Sequence, residues 1–286
     1  MKQIRIADFI KTENDFFTLP FEDSNLCKNS GGVRWGMTLL KSGSMRFRWN
    51  ETNPNREQIF EKIKPSEKHQ VIPVQLDHTK IVYDVSCMKD TFEKIGDGII
   101  TKNSLLVPAI TIADCMPVYL YDPVTEVFGI VHSGWKGTGI AGEAINLAKK
   151  NYGSNPKDFR VVLGPHIHDC CYIVNRERAE YFEKNFSSDC IEALQIENIS
   201  ENIEDNKKLP AFVWDNGNGP LFRLSLEKAN LSVLEKTGVS DEHITICKDC
   251  TACTPKKIFG SNRRESSENG KDNFTVMAGF VFKSNL

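Results

Sequence analysis

The chain has 286 residues, of which 40% are hydrophobic and 26% are charged. These values are typical of folded globular proteins and exclude a collagen-like, coiled-coil or disordered chain. The 36 lysine and arginine residues nearly balance the 38 aspartate and glutamate residues, so the formal net charge is −2. A charge this close to zero gives no electrostatic footprint for nonspecific nucleic-acid binding, and we predict no nucleic-acid partner.

The N-terminal segment lacks the continuous apolar core of a signal peptide, because Asp8, Lys11, Glu13 and Asp15 interrupt it. No segment approaches the ~20 uncharged apolar residues of a membrane span. The nine cysteines are an odd number in a long chain without a leader. They are interpreted as reduced thiols, some of them metal ligands, which predicts a cytoplasmic protein with no membrane partner.

The N-terminal half is predicted to consist mainly of strands. Short strands and turns are expected over residues 1–50, further strands over 71–85, and a turn at Asp97-Gly98. Residues 104–122 and 126–135 are rich in β-branched and aromatic residues, and the turn signal 122–125 separates them. These two segments therefore predict a hairpin.

Helices are predicted where apolar residues recur at helical spacing. The segments are 54–64 with Pro54 at its start, 140–150, 176–186, and one that ends at Gly238. The charged, apolar-poor segment 187–220 is predicted to be an exposed insertion. Residues 159–167 predict a strand, and the tail predicts a strand, a polar loop within 258–274 and a last strand over 275–282.

Cys115 and His132 are the first candidates for chemistry. With the turn centred between Pro123 and Val124, a simple hairpin places the two residues directly opposite each other, with Cβ atoms about 4.5–5.5 Å apart. Three interpretations remain open: two ligands of one zinc ion, a nucleophile with its base, or a buried cysteine beside a hydrogen-bonded histidine. Asp114 and residues 133–137 flank the pair, and this convergence of polar residues favours a site.

An anion site is the second candidate. Gly134, Gly137 and Gly139 precede the predicted helix 140–150, and Lys136 adds a positive charge. Small residues before a helix N-terminus leave backbone amides open to phosphate or carboxylate. A tight glycine turn with a solvated lysine explains the same residues, so both interpretations stay open.

Two long motifs resemble a known family. Residues 111–123 (TIADCMPVYLYDP) and 129–138 (GIVHSGWKGT) are similar to the signature of the bacterial laccase-domain family. This family is also described as multi-copper polyphenol oxidase, purine nucleoside phosphorylase or peptidoglycan-editing-factor-like. Shorter matching segments bring the resemblance to about residues 55–282: 96–101, 163–167, 170–172, 250–253 and 259–264 (FGSNRR).

The resemblance implies an α+β fold, with a mixed, mainly antiparallel sheet flanked by helices in one domain over residues 1–286. It also implies a His, Cys, His metal site, in which Cys115 and His132 match two ligands. In ungapped register Asp77 stands where the family has its first histidine, and His78 takes the next place. We favour His78 brought inward by a local bulge. Asp77 as the ligand and a degraded site remain alternatives, and on a regular strand Asp77 and His78 face opposite sides.

The remaining candidates rest on arginines and cysteines. Arg263 and Arg264 match the family's paired arginines and are candidates for bidentate phosphate binding, and Arg56 is a weaker candidate. The spacing of Cys247, Cys250 and Cys253 is typical of metal sites, but we interpret these cysteines as structural. The same structural interpretation is given to a second cluster, formed by His166, His168, Cys170 and Cys171.

The resemblance implies a zinc-dependent purine nucleoside enzyme that catalyses phosphorolysis of adenosine or inosine, with adenosine deamination as a second possibility. Cys115, His132 and Asp114 are its predicted catalytic residues, and Lys136 with the arginines binds phosphate. Three alternatives stay open: a copper-dependent polyphenol oxidase, a cysteine hydrolase of amide or cell-wall peptide bonds, and a non-catalytic binding module. The sequence does not indicate the oligomeric state.

Overall fold

The computed structural model describes residues 1–21, 32–194, 220–270 and 272–284. The strands in these ranges are β1 (Lys2–Ile4), β2 (Phe16–Pro20), β3 (Val33–Thr38), β4 (Gln70–Pro73), β5 (Val82–Asp84), β6 (Gly98–Thr101), β7 (Leu106–Ile112), β8 (Met116–Asp122), β9 (Val127–Ser133), β10 (Arg160–Leu163), β11 (Ile173–Asn175), β12 (Ile191–Ala193), β13 (Leu221–Leu224), β14 (Ile244–Cys247) and β15 (Met277–Lys283). The α-helices are α1 (Pro54–Ile63), α2 (Ile140–Tyr152), α3 (Arg176–Asn185), α4 (Leu226–Thr237) and α5 (Asn262–Asn269). None of the helices in the described ranges has the length and apolarity that crossing a bilayer requires.

The strands form three sheets. A seven-stranded sheet has the order β1-β14-β10-β8-β9-β6-β5, a five-stranded sheet has the order β2-β3-β15-β7-β4, and a small sheet has the order β11-β13-β12. Antiparallel pairing predominates, and four strand pairs are parallel: β1 with β14, β10 with β14, β4 with β7, and β5 with β6. The predicted α+β fold with a mixed, mainly antiparallel sheet is confirmed.

Layers of apolar side chains explain why the central strands are hydrophobic on both faces. On one face of the seven-stranded sheet, Val131 packs into a cluster with Ile145 of α2 and Leu234 of α4. On its other face, Phe128 and Ile130 pack against the five-stranded sheet. The far side of that second sheet is covered by α1. Because β7, β8 and β9 are buried throughout, their sequences read as continuous apolar runs rather than alternating ones.

Three sequence expectations differ from the structure or extend beyond it. The polar loop predicted within 258–274 contains α5, because Ser261 caps this helix by accepting a hydrogen bond from the Arg264 amide, and the Glu265 side chain accepts one from the Ser261 amide. Within 71–85 the strands are β4 and β5, Gln75 adds one isolated bridge to Ile95, and the backbone bends between them. Of the predicted insertion 187–220, residues 195–219 lie outside the described residues.

The predicted hairpin is present as β8 and β9, but its register differs from the expected one by two residues. Pro117 pairs with His132 and Asp122 pairs with Val127, so the turn is centred between residues 124 and 125. The Asp122 carboxylate sets this turn by accepting hydrogen bonds from the Val124 amide at 2.9 Å and the Thr125 hydroxyl at 2.5 Å. The prediction that Cys115 lies directly opposite His132 is therefore wrong. The ladder ends with Met116 paired to Ser133, so the next residue along each strand brings Gly134 opposite Cys115.

We expect Asp122→Ala to lower the free energy of unfolding by about 2 kcal/mol, because it removes hydrogen bonds from a fully buried carboxylate that holds the turn. Val124→Ala is the control at the tip of the same loop, since Val124 is 71% exposed, and it should change stability by less than about 0.5 kcal/mol. Urea unfolding of both variants measures the difference. An equal loss in the two variants would show that the Asp122 side chain does not stabilise the turn.

Candidate active site and metal centre

The side chains of Cys115 and His132 lie next to each other, beside the backbone of Gly134. Cys115 directly precedes β8, and His132 lies near the end of β9. A Cβ atom built on Gly134 would lie 2.7 Å from Cys115 Sγ and 3.4 Å from His132 Nε2. Because glycine has no such atom, the thiol and the imidazole share this space. The pair expected from the sequence is thus brought together, although by a diagonal rather than a direct cross-strand relation.

Asp97 fixes the orientation of the His132 ring. It directly precedes β6, is fully buried and lies 3.1 Å from His132 Nδ1. The same carboxylate accepts hydrogen bonds from the backbone amides of His78 at 2.9 Å and Thr79 at 2.7 Å. With Nδ1 donating to Asp97, Nε2 of His132 is left for a ligand on the Cys115 side, an arrangement common among metal-bound histidines. The sequence indicated a turn at Asp97 within the family-like segment 96–101, but no role for this carboxylate in the site.

His78 joins the site through a bend in the backbone. Its φ angle is 56°, and its ring centroid lies 5.1 Å from that of His132. His78, Asp97 and His132 have candidate ligand atoms within 4.8 Å of one another. Since the Asp97 oxygens are already occupied by hydrogen bonds, the members of this group with available donor atoms are His78 and His132. Cys115, which lies next to His132, is the third candidate ligand. Asp77 lies in the wall of the adjoining cavity.

The pKa values of these groups depend on one another. Burial alone would lower the pKa of His132, but the Cys115 sulfur and the Asp97 carboxylate outweigh it and raise the value to about 9. Burial likewise acts to raise the pKa of Asp97, but hydrogen bonds from His132 and Thr79 hold it below its usual range. The pKa of His78 is lowered by burial and by the neighbouring His132. A neutral His78 has a nitrogen lone pair available for a metal ion.

Asp114 is buried next to Cys115, and both oxygens of its carboxylate accept hydrogen bonds from the protein. Its φ angle is 79°, a conformation that non-glycine residues rarely adopt. One carboxylate oxygen accepts a hydrogen bond from Thr251 Oγ1 at 2.6 Å, and the other accepts one from the Arg263 amide at 2.6 Å. Burial raises the pKa of Asp114 despite these bonds. The carboxylate therefore anchors the N-terminus of α5 beside the thiol.

Two cavities adjoin the Cys115 thiol. The first has a volume of about 450 Å³, and its wall contains the cations Lys136, Arg178 and Arg263 together with the rings of Trp135 and Tyr172. The second has a volume of about 500 Å³ and is lined by both aromatic and basic side chains, including Phe47 and Phe274. The two cavities share His78, Ala113, Cys115 and Asn262. Both volumes are in the range of small-molecule sites.

Arg178 is a cavity residue that the sequence analysis missed. Its guanidinium carbon lies 3.9 Å from the centroid of the Trp135 ring, and Nη1 donates to the Tyr172 hydroxyl at 3.3 Å. Its buried Nε has no hydrogen-bond partner among the described residues. From the sequence, Arg178 belongs to a highly charged helix of the kind that usually lies on the surface. The packing of α3 brings this residue to the cavity.

The arginines predicted to bind phosphate separate into two groups. Arg263 lines the first cavity, and its guanidinium donates to the Ile173 carbonyl. Arg264 instead donates to the carbonyls of Thr251 and Phe259, and neither large cavity includes it. Arg56 donates to the carbonyl of Arg46 and lies over the Phe47 ring. Both Arg264 and Arg56 are buried and hold backbone segments in place, so their contacts do not fit the predicted phosphate role.

Comparison with known proteins identifies the family of this chain. The family model described as multi-copper polyphenol oxidoreductase laccase matches residues 48–279. The chain therefore belongs to the multi-copper polyphenol oxidoreductase laccase family. Its sequence is 32% identical over 180 residues to the purine nucleoside phosphorylase YlmD of Bacillus subtilis, an alignment that covers 62% of this chain and 57% of the relative.

One further relative of this laccase-family chain and one solved structure align with a larger share of its residues. A purine nucleoside phosphorylase of Clostridium acetobutylicum is 32% identical over 209 residues, which covers 72% of this chain and 74% of the relative. The crystal structure of the Bacillus licheniformis hypothetical protein YfiH superposes with a TM-score of 0.67 at 28% identity, covering 89% of this chain and 94% of that one. The match to Bacillus subtilis YlmD spans less than two thirds of that protein's length.

We expect protonation of His132 to stabilise the metal-free protein. A folded-state pKa of about 9, compared with about 6.5 in the unfolded chain, means that the stabilisation is complete below pH 6.5 and is lost as pH rises through 9. The free energy of unfolding should fall by about 3 kcal/mol more across this range in the unaltered protein than in His132→Gln. Urea unfolding of the chelator-treated proteins at several pH values measures this difference.

Cys115→Ala provides the internal control, because the Cys115 sulfur is the largest cause of the raised His132 pKa. This variant should retain only part of the pH dependence, since Asp97 remains beside the ring. If all three proteins have the same slope between pH 6.5 and 9, the coupling between Cys115 and His132 is contradicted.

Proposed function

We propose that this chain is a zinc-dependent purine nucleoside phosphorylase that acts on adenosine or inosine, with deamination of adenosine as a second activity of the same site. The observation that carries the proposal is the position of the Cys115–His132–His78 group at the boundary of a cavity whose wall holds three cations. Relatives named purine nucleoside phosphorylase support the same reaction class. The proposed enzyme is one domain over residues 1–286 and acts in the cytoplasm.

The donor chemistry of the site fits zinc. Two imidazoles and one thiolate are ligands that zinc prefers, and three protein ligands leave a fourth position open for a substrate or water. His78, Cys115 and His132 would hold the ion, and a zinc ion at this place supplies a Lewis acid for an oxygen or nitrogen of the substrate. Asp97 orients His132 through Nδ1. Copper is the alternative ion, since imidazole and thiolate also bind it.

The cations of the first cavity suit inorganic phosphate. Lys136 is an exposed residue of the cavity lining, whereas Arg263 is buried and Arg178 stacks on Trp135. Arginine forms paired hydrogen bonds with phosphate oxygens, and lysine adds a point charge. We assign phosphate to Lys136, Arg178 and Arg263. The anion is then held beside Cys115 and His78, and we assign the ribose of the nucleoside to the space next to it.

Phosphorolysis exchanges one bond to the ribose for another. The bond between ribose C1′ and the purine nitrogen breaks, its electron pair leaves with the base, and positive charge develops on the sugar. A phosphate oxygen forms the new bond to C1′, which yields ribose 1-phosphate and a free base after the base nitrogen gains a proton. The cations of the cavity place the anionic oxygen next to the developing positive charge, and the rings of Trp135 and Tyr172 line the same space.

Asp114 has a positioning role in this proposal. Its carboxylate is bound to Thr251 and to the amide of Arg263, so it holds α5 and the Arg263 side chain at the cavity while its own backbone leads into Cys115. This assignment differs from a direct proton transfer by Asp114, because both carboxylate oxygens already accept hydrogen bonds from the protein.

A cysteine hydrolase is the second candidate, and one observation favours it. Cys115, His132 and Asp97 have the order of a nucleophile, a base and an orienting carboxylate. The two candidates differ in the state of the thiol. A metal-free nucleophile reacts with iodoacetamide and activity is lost, whereas a zinc-bound thiolate is protected until a chelator is added. A multi-copper oxidase is less compatible, since the chain has only six histidines.

We expect the purified protein to release adenine from adenosine and hypoxanthine from inosine only when phosphate is present, with ribose 1-phosphate as the second product. Chromatography of the bases, measured with and without phosphate, separates phosphorolysis from hydrolysis, and release of ammonia reports deamination. Cys115→Ala and His132→Ala should lose at least about 100-fold in kcat/KM, because each removes one of the proposed zinc ligands. Turnover that is independent of phosphate, or unchanged in both variants, would contradict the proposal.

The phosphate site has its own test. Arg178→Gln should raise the KM for phosphate by about 10–100-fold, because a charge-assisted contact is lost. Lys136→Ala should act in the same direction. Lys94→Ala is the matched control, since Lys94 also lies over an aromatic ring, that of Tyr83, but does not line the two large cavities. A rise in the phosphate KM of equal size in the control would contradict the assigned cations.

A further inference from the structure

Four cysteines gather outside the site described above. Cys170 and Cys171 precede β11, and Cys250 and Cys253 follow β14. Their sulfur atoms all lie within 4.8 Å of one another. Cys247, which shares a repeated spacing with Cys250 and Cys253 in the sequence, is buried in a different apolar cluster. The cluster therefore contains only two cysteines of the sequence motif, Cys250 and Cys253. The other two, Cys170 and Cys171, come from a segment about 80 residues earlier.

The spacing of the sulfur atoms suits one tetrahedral ion. Four sulfurs at about 2.3 Å from a central zinc ion, at the corners of a tetrahedron, lie about 3.8 Å apart. The Sγ atoms of Cys170 and Cys171 are 3.8 Å apart, and those of Cys170 and Cys253 are 3.6 Å apart. A disulfide bond would hold two sulfurs at about 2.05 Å, and all eight cysteines of the described residues are free.

We propose that Cys170, Cys171, Cys250 and Cys253 form a structural zinc site, distinct from the Cys115 site. The sulfur set is closed, since four thiolates fill a tetrahedral zinc and leave no position for substrate. Cys171 and Cys250 are buried, and Cys170 and Cys253 are exposed, which gives the ion a path from solvent. The His168 amide donates to Cys250 Sγ at 3.4 Å, a contact that orients a metal-bound thiolate.

The neighbouring histidine group fits an ion less well. His166 and His168 stack with ring centroids 4.2 Å apart, and Glu227 lies near them. However, both oxygens of Glu227 pair with Lys248, at 2.9 Å and 2.7 Å. The carboxylate of this group is thus already neutralised, whereas the four sulfurs have one another as their nearest candidate ligands. Soft thiolates select zinc over magnesium or calcium.

The zinc site would cross-link two walls of the first cavity. One linked segment continues from Cys171 into Tyr172, which lines the cavity. The other contains Thr251, whose hydroxyl bonds to Asp114 and whose carbonyl accepts from Arg264. Cross-linking segments this far apart in sequence restricts the unfolded chain and holds both walls in register. The site is structural, and it supports the cavity through these backbone connections.

The test measures zinc per chain by mass spectrometry after purification under reducing conditions. Cys170→Ser/Cys253→Ser should contain one equivalent of zinc less than the unaltered protein, and its melting temperature should fall by about 5 °C or more. Cys87→Ser, which changes an exposed cysteine outside the cluster, should change neither value. Cobalt added to Cys115→Ala should give the visible d–d bands and the near-ultraviolet thiolate-to-cobalt charge-transfer bands of a tetrahedral thiolate site.

Labelling of the unaltered protein gives a readout that does not depend on a variant folding. Zinc should slow the reaction of iodoacetamide with Cys170 and Cys253 at least tenfold, relative to protein treated with a chelator, and should leave Cys87 unaffected. If zinc content is equal in the double variant and the unaltered protein, and these two thiols react at the same rate with and without zinc, the site does not exist. Because the readouts are zinc content and labelling, loss of nucleoside turnover alone bears only on the proposed function.

Discussion

The contact between the His132 ring and the buried carboxylate of Asp97 is the interaction on which the candidate active site depends. Pairing of β6 with β9 creates it, because Gly98 pairs with Val131 and the His132 amide donates to the Asp97 carbonyl at 2.7 Å. A Cβ atom on Gly98 would lie 2.5 Å from a Val131 methyl group, so glycine permits this close approach. The strand pairing thus fixes both the backbone and the imidazole of His132, and the direction of its Nε2 follows.

Asp97 also connects this rigid strand pair to a non-repetitive segment. A buried carboxylate is unfavourable unless hydrogen bonds compensate for its lost hydration. The amides of His78 and Thr79 and the Thr79 hydroxyl supply them, which holds the 77–79 bend against the sheet. His78 is therefore placed by its backbone rather than by its own side-chain contacts. One carboxylate positions two of the three candidate ligands, and the absence of a Cβ on Gly134 admits the third.

Much of the fold and part of the site could be predicted from the sequence, and the errors have physical causes. Apolar spacing identified α1, α2 and α4, because the cores that bury these helices impose it. The Cys115–His132 pair was identified, but its register was wrong because the Asp122 side chain sets the turn one residue later than assumed. Asp97 and Arg178 were missed since their roles come from pairing and packing between distant segments. Arg264 and Arg56 were candidates for phosphate binding, but both side chains are buried and their guanidinium groups donate to backbone carbonyls.

The first cavity is built from segments that are distant in sequence, and their contacts explain how it keeps its shape. The Asp114 carbonyl accepts from the Ile167 amide at 2.8 Å, and its carboxylate bonds to Thr251 and Arg263. One residue therefore connects the Cys115 loop, the segment that contains Cys170 and Cys171, the segment that contains Cys250 and Cys253, and α5. The positive φ of Asp114 is a conformational cost that these hydrogen bonds offset. Because Cys115 follows Asp114 directly along the chain, these contacts fix the backbone of the candidate active site, and they reach the two segments that contain the four clustered cysteines.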